Sequence, residues 1–569
     1  MNCDHASNIL RAVTVLAIVA LLGRPCRCLT YYVDAEGGSD LNAGTSQDSA
    51  WQTLGKVRSF LFMPGDSILL RRGCQWREML YVSSSGEEGN PITYGAYGAD
   101  EALPVINGAD LYTDNEWDPA GENIWSKPGH IDFHSETLIA SGRAANKFIV
   151  TIDGVRFRPV TEMSALEEDT YAYDSQSDRL LVYLPGDPDN HHTESATRSY
   201  SIRMEGKKQI VLRDLEIMNS VYNNIYMIHA CKHVLLDHLV VHHAGTRGVQ
   251  ILGDELTDNP DGWVEHIRIE HSTIFNNGIR CDSAANDIGM NRNVRCVTVR
   301  HCTLYGDGET WGVDGILTGE ITRGAGHRIE DNVIFGHCEN EIDLKGHQES
   351  PAKEGRTVIR NNVLFGSGSA VIGAHFGSRD VDIVHNHISS GATHGIGFYN
   401  HDSPHPYDGQ EGDFTIAYNI IRDHRLSGIR DAGAGHAITA GGNRVHNNII
   451  VWNGADIDGD SAGIQFQSPN WDIQNNIIWN NGDGSLAYQL RPSTPESEIG
   501  LVESHNLVAV DPLFMDAEGG DFRLRADSPA VDEGADLGYA HDIDGRAVPN
   551  GTAPDIGAHE WYPSTAPVP

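Results

Sequence analysis

Positive charge is what this chain has least of. Its 569 residues carry 41 Lys and Arg against 79 Asp and Glu, a formal charge of −38. Such a chain repels phosphate backbones, which excludes nucleic acid as its partner. No C-x-x-C pair occurs among its nine cysteines, so the usual structural zinc site is excluded too. Cys74, Cys231, Cys281, Cys296, Cys302 and Cys338 lie beyond the N-terminal segment, and their spacing leaves disulfides and buried thiols both open. Beyond that segment no apolar run is long enough to span a bilayer, and no helical period is sustained. Glycine is abundant, with 61 residues, which favours turns over long helices.

The chain opens "MNCDHASNILRAVTVLAIVALLGRPCRCLT". Arg11 precedes an apolar stretch, Ala12 to Leu22, that is too short to cross a membrane. This is the pattern of a secretory signal peptide, read over 1–28. It predicts a secreted or periplasmic protein without a membrane span, acting as a monomer.

The body of the chain repeats itself. One phrase recurs as "IEHSTIFNNG" at 269, "IEDNVIFGHC" at 329, "IRNNVLFGSG" at 359, "VHNNIIVWNG" at 445 and "IQNNIIWNNG" at 473. Between its copies comes a second strand: "NDIGMN" at 286, "DGILTG" at 314, "NEIDLK" at 340, "AVIGA" at 370, "HGIGFY" at 394, "SGIRDA" at 427 and "AGIQFQ" at 462. Short strands at this period, without helices, predict an all-β right-handed parallel β-helix in which stacked coils share one core. Asn at the bends tolerates the left-handed conformation and can ladder to Asn in the next coil. The main stack is read over 206–510, and "DTYAYDSQSDRLLVYLPGDPDN" marks a small antiparallel insertion over 131–205. Residues 511–569 change in texture and are read as a cap on the last coil, shielding its open edge.

"NEIDLK" alternates ionic and apolar residues, which points Ile342 and Leu344 inward and Glu341, Asp343 and Lys345 outward. Aligning the second strands on their first Ile or Val gives outward triplets on neighbouring coils. These include Asp287/Gly289/Asn291, Ala370/Ile372/Ala374, Gly395/Gly397/Tyr399, Gly428/Arg430/Ala432 and Gly463/Gln465/Gln467. Small neighbours around the ionic triplet predict a groove, with Asp287, Tyr399, Arg430 and Gln465 placed to bind substrate. Asp314, Glu339, Glu341 and Asp343 would crowd within about 10 Å of each other, and four such acids need a counter-charge. Ca²⁺ with oxygen ligands is one answer; Lys345 alone is the other.

"YYVDAEGGSDLNAGTSQDSAWQTLGKV" with "PGDSILLRRG" resembles the opening segment of secreted β-helix proteins, read here as an N-terminal cap and first coils over 29–130. The whole chain resembles pectate-lyase-like polysaccharide lyases. "VDGI" at 313 followed by "ENEIDLK" is similar to the calcium-site pattern of family 9 pectate lyases, with Asp314, Glu339, Asn340 and Asp343 at its acid positions. Glu339 replaces an Asp, and Asn340 carries no charge. The family's lysine is missing from "SAVIGAHFGSR" one coil on, which leaves Lys345, His375 and Arg379 as candidate bases. The resemblance implies Ca²⁺-assisted β-elimination on an anionic, uronic-acid-containing polysaccharide. There Tyr399 or a water protonates the leaving oxygen and Arg430 holds a carboxylate. The residues themselves leave two alternatives open. One is a glycoside hydrolase built on Glu341 with Asp343, or Asp343 with Asp314. The other is a non-catalytic carbohydrate-binding β-helix or a C5-epimerase.

Overall fold

The computed structural model describes residues 28–112, 117–128, 150–160, 162–174, 176–254, 262–278, 285–308, 313–318, 326–345, 355–375, 377–399, 412–431, 442–456 and 461–563. Residues 1–27 of the signal-peptide reading and Cys281 lie outside them.

Three parallel sheets of 15, 13 and 12 strands hold most of the described strands. The chain visits them in rotation, as in Val264–Glu270 on the first, Thr273–Phe275 on the second and Ala285–Asn291 on the third. Each strand pairs with its counterpart one coil on, which makes the parallel β-helix that the repeats predict. Its core is built from in-register columns. Ile316 stacks on Ile342, then Ile372, Ile396, Ile429 and Ile464. All six are fully buried, and truncating a buried Ile to Ala costs about 2–5 kcal/mol.

Between the first and second sheets the chain turns through two adjacent residues that divide the work expected of one Asn. The first takes the left-handed conformation, as Asn361, Asn447 and Asn475 do at φ 55°, 53° and 58°. The second points inward and ladders. Asn362 Nδ2 donates to Asn386 Oδ1 at 3.0 Å, Asn386 to Asn419 at 3.0 Å, and Asn419 to Asn448 at 3.0 Å.

The antiparallel insertion begins earlier than the sequence suggests. Ala109–Tyr112 and Ile124–Pro128 already pair with Thr193–Ala196 and Arg179–Tyr183. Tyr200–Glu205, in contrast, pairs with Asn223–Ile228 and so belongs to the third sheet. The C-terminal segment reaches well beyond the last coil. Phe514, Phe522, Leu524 and Ile556 pack against Ile420, Ile449 and Ile477 of three successive coils, so it lies along the flank of the second sheet. The reason is apolar surface: those three isoleucines occupy outward positions beside the inward Ile421, Ile450 and Ile478 and need covering. Cys74, Cys231 and Cys302 are free, buried thiols.

Candidate active site

The third sheet carries the ionic strand. Asp343 pairs laterally with Leu317 on one side and Gly373 on the other, and that column continues through Gly397, Arg430 and Gln465. Lys345 pairs with His375, which pairs with Tyr399. This register corrects the alignment at 370. Ile372, not Val371, stacks on Ile342, so Ile372 and Ala374 fill the core and Gly373 and His375 face outward.

Asp343 is fully buried and held from two sides. Lys345 Nζ lies 2.8 Å from Oδ2 and His375 Nε2 lies 3.4 Å from Oδ1. Burial alone would lower the Lys345 pKa, but Asp343, Asp314 and Glu339 outweigh it and push it above the ordinary range. These carboxylates favour the ammonium form of Lys345, the opposite of the lowered pKa that a lysine base needs. The His375 ring stacks on Tyr399 at 4.9 Å with 20° between the planes. Two glycines make this possible. A Cβ on Gly373 would lie 3.0 Å from His375 Nε2, and one on Gly397 would lie 2.5 Å from the Tyr399 ring. Burial raises the Tyr399 pKa, against bonds with Thr393 and Ser369 that lower it.

Asp314, one coil back, is 1% exposed. Its Oδ1 accepts the Asn340 N–H and side-chain N–H, each at 3.1 Å, and its Oδ2 accepts from Asn286 Nδ2 at 3.2 Å. Burial, then the charges of Asp343 and Glu339, hold its pKa well above the carboxylate range despite Lys345. The two aspartates are thus set apart: burial and neighbouring carboxylates raise the pKa of Asp314, and Asp343 is paired with a cation. Further along, Arg430 lies beside His394, whose pKa burial and Arg430 together pull down to about 3. Gln465 follows Arg430 in the column and donates to Ser493 Oγ at 3.1 Å.

Three expected site residues sit elsewhere. Glu341 does not face outward: a bulge sends it into the interior, where it bonds His337 Nδ1. Glu341 and Ile342 both donate to the Val371 carbonyl, at 3.1 Å each, which is the mark of that bulge. Asp287 is the inward residue of the same column and lies 3.1 Å from His337 Nε2, not in the groove. Arg379 opens a strand of the first sheet and pairs with Asp380 at 3.2 Å. A calcium pocket made of Asp314, Glu339, Glu341 and Asp343 therefore does not fit. Glu341 is committed inside, and Asp343 already has its cation. Among the described residues, the groups whose ligand atoms converge for a metal are Asp237/His238/His271 and Asp542/Asp544/His559, both away from this strand. His337 and His394 escaped the sequence reading; both stand at bends, where a polar residue reads as a turn former.

No protein-family model matches the chain. It is 24% identical over 327 residues to a lacto-N-biosidase of Bifidobacterium longum subsp. longum, a match covering 55% of this chain and 19% of that protein. The chain thus spans about a fifth of that relative's length. Similar solved structures include XylC in complex with xylose, at 14% identity and TM-score 0.45 over 79% of this chain and 75% of that one. Pectate lyase Pel9A is similar at 14% identity and TM-score 0.39 over 94% and 96%. So is a GH136 lacto-N-biosidase from Eubacterium ramulus, at 12% identity and TM-score 0.38 over 89% and 72%. Among the described residues, no helix is long and apolar enough to cross a membrane.

Proposed function

We propose that this protein is a glycoside hydrolase acting on exported or extracellular saccharides, with Asp314 as proton donor and Asp343 as the carboxylate at the sugar's C1. One observation carries this reading: two buried aspartates on adjacent coils of one sheet stand in different surroundings, Asp314 among asparagine donors where burial raises its pKa and Asp343 ion-paired to Lys345. A carboxyl kept neutral beside one kept ionised is the division of labour that glycosidic cleavage needs. Asp314 gives its proton to the glycosidic oxygen. Asp343 offsets the positive charge that develops on the ring, either by attacking C1 or by activating a water. Lys345 and His375 fix the Asp343 carboxylate in place, and Tyr399, Arg430 and Gln465 extend the same face for the rest of the saccharide. The similarity to a lacto-N-biosidase supports a carbohydrate-active enzyme of this class.

β-Elimination is the second reading, favoured by the His375–Tyr399 stack. There Asp343 orients His375 as base, Tyr399 is the acid, and Lys345 and Arg430 neutralise a uronate carboxylate without a metal.

A panel of neutral and uronate-containing oligosaccharides separates the two. Hydrolysis releases reducing ends with no ultraviolet-absorbing unsaturated product, is unaffected by a chelator, and falls by about 1,000-fold or more in Asp314→Asn and Asp343→Asn. Unsaturated products, retained in Asp314→Asn and lost in His375→Ala, move the assignment to the lyase.

A further inference from the structure

Beneath the outer face, one imidazole joins two coils that are not neighbours. His337 stands two residues after the second-sheet strand Val333–Phe335. Ser367, Asn453 and Asn481 hold the same place after Val363–Phe365, Ile449–Val451 and Ile477–Trp479. His337 Nδ1 bonds Glu341 of its own coil, and its Nε2 lies 3.1 Å from Asp287 Oδ2. Asp287 is two coils away: its strand, Ala285–Asn291, pairs with Val313–Thr318, which in turn pairs with Ile342–Lys345.

The intervening coil is built to let the ring through. Its inward residue is Gly315, where a Cβ would lie 2.5 Å from the Glu341 carbonyl and 3.0 Å from His337 Cε1. Its bend residue, Asp307, turns outward to within 3.5 Å of Arg156. Asp287 is completed by Asn277 Nδ2, which donates to Oδ1 at 2.7 Å. Side chains of Asp287, His337 and Glu341 are all fully buried. Elsewhere the same corner is neutral, with Gly428 against Asn453 and Gly463 against Asn481. A buried ionic triad is a poor way to gain stability, because its desolvation offsets its attraction.

What lies on the other face accounts for it. The residues immediately before Asp287, Gly315 and Glu341 are Asn286, Asp314 and Asn340, and both asparagines donate to the Asp314 carboxyl. The inner bridge spans the coils that carry those donors, with Asp314 between them. We propose that Asp287, His337 and Glu341 form a positioning clamp, which holds Asn286 and Asn340 on Asp314 and so sets the pH at which Asp314 releases its proton. This rests on the reading of Asp314 as the acid.

The test replaces the triad by the neutral pattern of the other coils, Asp287→Gly/His337→Asn/Glu341→Gly. The variant is expected to fold with an unchanged or higher Tm. Its kcat falls about tenfold with little change in KM, and the alkaline limb of its pH–rate profile moves up by about one unit. The direction follows from the donors, which favour the ionised carboxyl and are lost when the coils drift. An unchanged limb and rate overturn the clamp. If the triple variant does not fold, Glu341→Ala cuts the tie to the Asn340 coil alone. There the Asp314 carboxyl is titrated by ¹³C NMR, its signal assigned by difference from Asp314→Asn, and an unmoved midpoint overturns the proposal. That titration needs no turnover. Full hydrolysis by Asp314→Asn rejects the hydrolase reading separately.

Discussion

Lys345 Nζ stands 2.8 Å from the carboxylate of Asp343, two residues back on the same strand. Asp343 is fully buried, so its charge depends on this ammonium and on His375. Removing one partner of such a pair leaves an uncompensated buried ion, which costs about 3–5 kcal/mol. Lys345→Met is expected to lose stability at the low end of that range, since its side chain is 18% exposed. It is expected to lose about 100-fold or more in rate. Asp343→Asn/Lys345→Met then recovers most of the stability in urea unfolding while remaining inactive. A double variant no more stable than Lys345→Met assigns the loss to packing of the lysine stem and not to the ion pair.

Asp314 predicts a trade between stability and activity. Its folded pKa lies above the ordinary value because of burial and the neighbouring carboxylates. In acid it is protonated in both folded and unfolded chains and makes no difference. As pH rises past the unfolded value, about 3.9, the unfolded chain ionises freely and the folded one does not, so the native state is penalised. Asp314→Asn should therefore melt higher than the parent at pH 7, with the gain vanishing near about pH 3.5, while activity is lost. Melting curves at the two pH values check this. An equal difference at both rules out the titration as its source.

The sequence made the solenoid legible because its signal is repetitive. Each coil restates the same Ile columns and the same paired Asn at the bend. The position of Asp343, Lys345, Tyr399 and Arg430 on one outward face followed from strand alternation alone. What alternation could not show is the bulge at Glu341, where two consecutive residues both turn inward. A period of two has no way to express that, so the acid was placed in the groove. The same displacement hid Asp287, whose inward direction depends on Asn277 and His337 at bends 10 residues before and 50 residues after it. At 370 the repeat offered Val371 and Ile372 in sequence, and only the pairing with Ile342 decides which is the core residue.

Gly397 tests whether Tyr399 contacts saccharide. A Cβ at Gly397 would lie 2.5 Å from the Tyr399 ring, and the three atoms nearest to it all belong to the movable end of that side chain. Gly397→Ala should therefore displace the ring from His375 and leave the fold intact. Aromatic contacts of this kind are worth about 0.5–1.5 kcal/mol, so KM should rise by about 2- to 10-fold. Tm should stay within about 2 °C of the parent. Kinetics on the substrate found by the panel give the readout. A fall in kcat with KM unchanged moves Tyr399 from binding to chemistry.

The asparagine ladder makes stability depend on position along the stack. Asn448 Oδ1 accepts from the backbone and side chain of Asn419, and its Nδ2 donates to Asn476 Oδ1 and the Ile416 carbonyl. All of these groups are in the dry interior, where each unsatisfied one costs about 1–3 kcal/mol. Asn448→Ala should thus cost about 3 kcal/mol or more. Asn506 closes the ladder: it accepts from Asn476 and donates to the Ile473 carbonyl, but it is only half-buried. Water reaching the last coil can replace its bonds, so Asn506→Ala should cost about 1 kcal/mol. Chemical denaturation of the two variants compares them directly. Equal losses would mean that the ladder's end is as dry as its middle, and that the C-terminal segment along the flank seals the last coil after all.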